Sequence, residues 1–67
     1  MKDILWQDIT DIAIELIENY EEIDPQRISF PDLHLKICDL DCFKDDPGRS
    51  NEKILEAIQM AWIDETQ

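Results

Sequence analysis

The sequence predicts a mostly α-helical domain of three helices. Two segments repeat apolar residues at three- and four-residue steps, and a Ser-Phe-Pro-Asp start signal opens a further helix between them. No run alternates long enough to make a real strand.

The first periodic segment runs from about Asp8 to Tyr20, with Ile9, Ile12, Ala13, Leu16, Ile17 and Tyr20 on one face. Asp8 is expected to cap it, Asp11 follows three residues later as in a capping box, and Glu15 and Glu18 fall on the wet side. Trp6 precedes the cap and is expected to fold back on the first turn. Asp24-Pro25 suits a single turn. Arg27-Ile28-Ser29 is at most a short extended piece. Ser29 then caps a second helix, with Pro31 and Asp32 in its first turn. Leu33, Ile37 and Leu40 are expected to point inward, with Leu35 and Cys38 nearby. The pattern dissolves from Asp41 to Arg49, where Asp45-Asp46-Pro47-Gly48 is turn chemistry. Ser50 or Asn51 caps the last helix, Glu52 sits in its first turn, and Ile54, Leu55, Ile58, Ala61 and Trp62 form its inner face.

A chain of 67 residues makes one domain at most, residues 1–67. At this size folding hides only about 60% of the surface the unfolded chain exposes. The staples that rescue small domains are missing: Cys38 and Cys42 would close a trivial loop, and no zinc-type spacing occurs. Helix packing must carry the stability, and 43% apolar residues suffice to attempt it.

Seventeen acids against six bases give a net charge of −11. Such a chain repels phosphate, which argues against nucleic acid and anionic membranes, and it is steered toward basic protein surfaces or cations. No stretch approaches the roughly 18 apolar residues of a membrane span. The first residues lack a signal-peptide core, so the cytoplasm is the expected location.

Several stretches carry a resemblance: Trp6-Gln7-Asp8, Asp24-Pro25, Phe30-Pro31-Asp32-Leu33-His34, Ile37-Cys38-Asp39-Leu40, Phe43, Asp45-Asp46-Pro47, Ser50 through Ile58, and Trp62-Ile63-Asp64-Glu65. In this order and spacing they resemble the IscX family, small acidic accessory proteins of bacterial iron–sulfur cluster assembly, over essentially the whole chain. The resemblance implies a small, modified winged-helix-like domain. It also implies docking on a cysteine desulfurase through an acidic face, competition with frataxin for that surface, and weak binding of ferrous iron by surface carboxylates. Three positions depart from the family's usual pattern. Lys44 and Cys42 replace common acids and thin the acidic patch, and Glu21 replaces a frequent Pro. A winged helix usually suggests DNA, but the last helix carries Lys53 alone against Glu52, Glu56, Asp64 and Glu65, so the fold is expected to serve a protein partner.

The partner-binding candidates are therefore Asp39, Asp41, Asp45, Asp46, Glu52, Glu56, Asp64 and Glu65. The first four double as a loose cation site, since carboxylate oxygens suit hard and borderline cations, although their spacing is not that of a calcium loop. His34 and Cys38, four apart on one helical face, are the sole candidate nucleophile–base couple. Cys38 reads better as structural, and His34 stays open. Trp62 and Phe43 are expected inside, with Trp6 undecided between core and interface. The reading is a monomeric, non-catalytic adaptor or regulator with no tightly bound cofactor. The alternative is a ferrous iron carrier or sensor that donates iron to cluster assembly.

Eleven net charges on so thin a core repel one another. Raising salt from about 0.02 M to about 0.3 M is expected to raise the melting temperature by a few degrees. A melting temperature indifferent to salt would show the charges too dispersed to matter.

Overall fold

The computed structural model describes residues 3–66. Three helices follow in order: α1 (Ile9–Asn19), α2 (Phe30–Cys38) and α3 (Glu52–Thr66), with a single 3₁₀ turn at Pro47–Arg49 before α3. The mostly α, three-helix expectation holds. Among the described residues the sole extended pairing is one parallel bridge between Ile4 and Phe43. In it, Ile4 N–H donates to the Cys42 carbonyl (2.8 Å) and Lys44 N–H donates to the Ile4 carbonyl (3.0 Å). The sequence gives no sign of this bridge, because one residue pair is too short to show a period of two.

Each helix start has a local cause. Ser29 is extended, and its hydroxyl accepts the Asp32 N–H at 3.3 Å, with Pro31 in the first turn as expected. Asn51, of the two candidates, caps α3: its side-chain oxygen accepts the Ile54 N–H at 2.9 Å. Asp8 behaves differently. Its carbonyl opens α1, but its carboxylate turns back to accept the Leu5 N–H at 3.0 Å, while Asp8 N–H donates to the Leu5 carbonyl at 2.9 Å. The side chain therefore closes the turn before the helix and does not cap it. Asp24 closes its own turn, accepting the Gln26 N–H on its side chain and the Arg27 N–H on its carbonyl.

The core is the meeting of the three apolar faces. Ile12, Ala13 and Leu16 of α1, Leu33 and Ile37 of α2, and Leu55, Ile58 and Trp62 of α3 are buried, and no polar or charged described residue is. α1 lies along α3 over the most extensive contact, α2 meets α3 more briefly, and α1 and α2 touch least. Leu40 and Phe43, beyond the end of α2, extend the core, and Ile4 and Trp6 join it there against Phe43. The radius of gyration is 10.6 Å, against about 11 Å for a compact chain of this length, so the helices and the segments packed on them collapse fully.

One expectation changes and one is extended. Leu35 was placed near the core but is 66% exposed. It lies two residues from both Leu33 and Ile37, which puts it about 160–200° around the helix from either. Trp6 lines a hollow with Ile9 of the first turn, and its ring and N–H groups also meet His34 of α2 and the loop after it.

Leu33 and Leu35 make a matched test of that assignment. Leu33→Ala is expected to cost about 2–5 kcal/mol, much of what a domain this small possesses. Leu35→Ala should stay within about 0.5 kcal/mol of wild type. Urea titration reads both, and equal losses would contradict the packing described.

Candidate functional site

The loop between α2 and α3 is shaped by Trp6, the residue that sequence left undecided. Its ring is 3% exposed. Phe43 meets it edge-on with centroids 4.7 Å apart, and His34 stacks on it at 5.6 Å and 24°. The indole N–H donates to the Asp46 carbonyl at 2.8 Å. The backbone N–H of Trp6 donates to Asp45 Oδ2 at 3.0 Å. Asp45 Oδ1 accepts the Asp46 N–H at 2.7 Å and lies 4.0 Å from the Arg49 guanidinium. Asp46 in turn caps the 3₁₀ turn, accepting the Gly48 N–H at 2.9 Å. A carboxylate that accepts two backbone N–H groups is favoured in its charged form. Those two bonds, with a smaller contribution from Arg49, hold the Asp45 carboxyl below the usual aspartate range despite its partial burial.

His34 belongs to the same lock. Its Nε2 lies 2.7 Å from the Pro47 carbonyl, which can only accept, so the hydrogen is on Nε2. Cys38 Sγ sits 3.9 Å from Nδ1 and 4.0 Å from Nε2, facing the ring rather than one lone pair. Burial pushes the Cys38 thiol up, which keeps it protonated. The Pro47 carbonyl engages Nε2, and the Cys38 thiol stands against the ring.

The other acids lie elsewhere. Asp39 and Asp41 are exposed and line a hollow of about 350 Å³ with Glu15, Asn19, Tyr20 and Cys42. Burial raises the Tyr20 hydroxyl first, and the charge and hydrogen bond of Asp39 raise it further. Lys36 Nζ stands 5.1 Å from the Tyr20 ring centroid. The Cys42 thiol donates to Glu15 Oε1 at 3.4 Å; burial pushes it up first, and the Glu15 contact adds to that. The four acids read as one loose cation site thus divide: Asp39 and Asp41 face Glu15 of α1, while the Asp45 and Asp46 carboxylates are held by backbone N–H groups. Among the described residues no three His, Cys, Asp or Glu converge as a ligand set. On α3, Glu52, Glu56, Asp64 and Glu65 are all exposed. Sequence reasoning missed Glu15, whose approach to Cys42 depends on how α1 lies against the loop. Nothing in the spacing could have found it.

A family model described as iron-sulphur cluster assembly matches residues 4–67. The chain belongs to that family. It is the one, IscX in type, that the motifs resemble. A similar protein is an uncharacterized one from Pseudomonas aeruginosa, 52% identical over 60 residues that cover 90% of this chain and 91% of the relative. Trp6, His34, Phe43, Asp45, Asp46 and Pro47, which carry much of the resemblance, are the residues that meet in the lock. No helix among the described residues is long and apolar enough to cross a membrane.

Because the folded state holds the Asp45 carboxyl low, the unfolded chain takes up that proton first as pH falls. The stabilisation is complete above the ordinary aspartate value of about 3.9 and is lost as pH drops through the lower folded value. Asp45→Asn is therefore expected to melt below wild type at neutral pH, with the gap closing in acid. Melts between about pH 7 and about pH 2.5 test this, and a gap that persists in acid would place the cause elsewhere.

Proposed function

We propose that this protein is an acidic adaptor of iron–sulfur cluster assembly that docks on a cysteine desulfurase through its exposed carboxylates. The observation that carries the reading is the family match over residues 4–67. The surface it falls on supports it. Glu52, Glu56, Asp64 and Glu65 on α3, with Asp39 and Asp41 at the α2 end, are exposed carboxylates available to a basic partner. Asp45 and Asp46 add charge, but their oxygens are engaged within the loop. Docking of this kind steers encounter and orientation and requires no chemistry from the adaptor. Regulation follows from occupying the surface: the adaptor excludes a competitor such as frataxin or alters sulfur delivery. The protein acts as a cytoplasmic monomer in this reading.

Ferrous iron is a weak second ligand. The exposed carboxylates offer it a diffuse acidic field, with no converged ligand set among the described residues. Such a field gives weak, poorly selective binding, suited to sensing a high iron level more than to carrying iron.

Calorimetric titration into the desulfurase at about 0.05 M and about 0.3 M salt is the test. Affinity is expected to fall roughly tenfold with salt as the Debye length shrinks. Absence of binding at both salts would reject the adaptor reading. Iron retained against excess magnesium would favour the carrier alternative, since a diffuse acidic field loses it.

A further inference from the structure

The outer face of α3 is not acidic throughout. Glu52, Glu56, Met60 and Asp64 follow at four-residue steps and form one slowly turning row opposite the core. All four are exposed, and Met60 keeps 54% of its surface in solvent. Half-buried Ala57 and Ile63 stand three residues to either side of it. The methionine is therefore the raised centre of a small apolar patch, with a carboxylate one turn before it and another one turn after. The opposite face of α3, Leu55, Ile58 and Trp62, is taken up by the core.

An apolar centre with a charged rim is the anatomy of a protein-docking surface. Methionine also suits the centre, because its unbranched thioether adapts to an irregular recess. The rim sets the sign of the partner: four acids against Lys53 on this helix call for a basic surface. Among the described residues, two other large apolar side chains are exposed. Leu35 adjoins Lys36, so its surroundings are of mixed sign, and Ile14 is stiff and only 38% exposed.

We infer that Met60 is the apolar anchor of the docking surface, seated in a recess of a basic partner whose cations meet Glu56 and Asp64. The inference rests on the proposed desulfurase docking and adds what holds the complex after charge has steered it. Carboxylates alone give contacts that salt erodes, whereas burial of a methionine resists screening.

Met60→Ala, Met60→Leu, Leu35→Ala, Ile14→Ala and Glu56→Lys are titrated into the desulfurase at the same two salts, after circular dichroism verifies the helices. Met60→Ala is expected to bind about tenfold more weakly at both salts, with Met60→Leu within about twofold of wild type. The loss in Glu56→Lys should shrink as salt rises. Wild-type affinity in Met60→Ala, or an equal loss in Leu35→Ala or Ile14→Ala, overturns the anchor while leaving the adaptor reading intact. No binding by wild type removes both.

Discussion

Trp6 is joined to the segment after α2 through its backbone N–H on Asp45, its indole N–H on the Asp46 carbonyl, and its ring between Phe43 and His34. α1 and α2 touch least among the helices, and the core continues past the end of α2 through Leu40 and Phe43. The indole packs against Phe43 there. The backbone N–H and the indole N–H of Trp6 cannot be buried without acceptors, and the loop supplies both. The loop's path follows from that requirement. Asp45 must present its carboxylate to residue 6, Asp46 must turn its carbonyl inward, and Pro47 must offer its own carbonyl to His34. The 3₁₀ turn and the Asn51 cap then start α3 at a fixed place.

This constraint gives chemically similar acids different tasks. Asp8, Asp24, Asp45 and Asp46 accept backbone N–H groups and shape turns. Glu52, Glu56, Asp64 and Glu65 stand in solvent. With seventeen acids in the chain, composition cannot separate the two groups, since a carboxylate in a turn and one on a wet face look alike in sequence. Their divergence sets what the surface can do: acids bound to backbone contribute field, and exposed ones can change partners.

The helices were legible because their causes are local. Apolar spacing placed Ile12, Leu16, Leu33, Ile37, Ile58 and Trp62 in the core, and the Ser29 and Asn51 caps lie at positions the sequence marks. What was not legible is long-range. The Asp8 carboxylate has two nearby uses, and it accepts the Leu5 N–H instead of a helix N–H. Leu35 was misplaced by taking proximity in sequence for proximity on a helical face. Glu15 meets Cys42 across 27 positions. Of the candidate site, the exposed acids of α3 could be read from the helix period, whereas the engagement of Asp45 and Asp46 needed the path of the N-terminal segment.

The lock also bears on how the chain is made. Residue 6 leaves the ribosome 39 and 40 positions ahead of the two aspartates that satisfy it. At about 5–20 residues per second, that leaves roughly 2–8 s in which the indole has been synthesised and its acceptors have not. The wall against which α1 packs most extensively, α3, comes later still. Folding must therefore await the synthesis of α3, and until then the aromatic and aliphatic side chains of the first half are open to chaperones, with the surplus of negative charge the main protection against self-association.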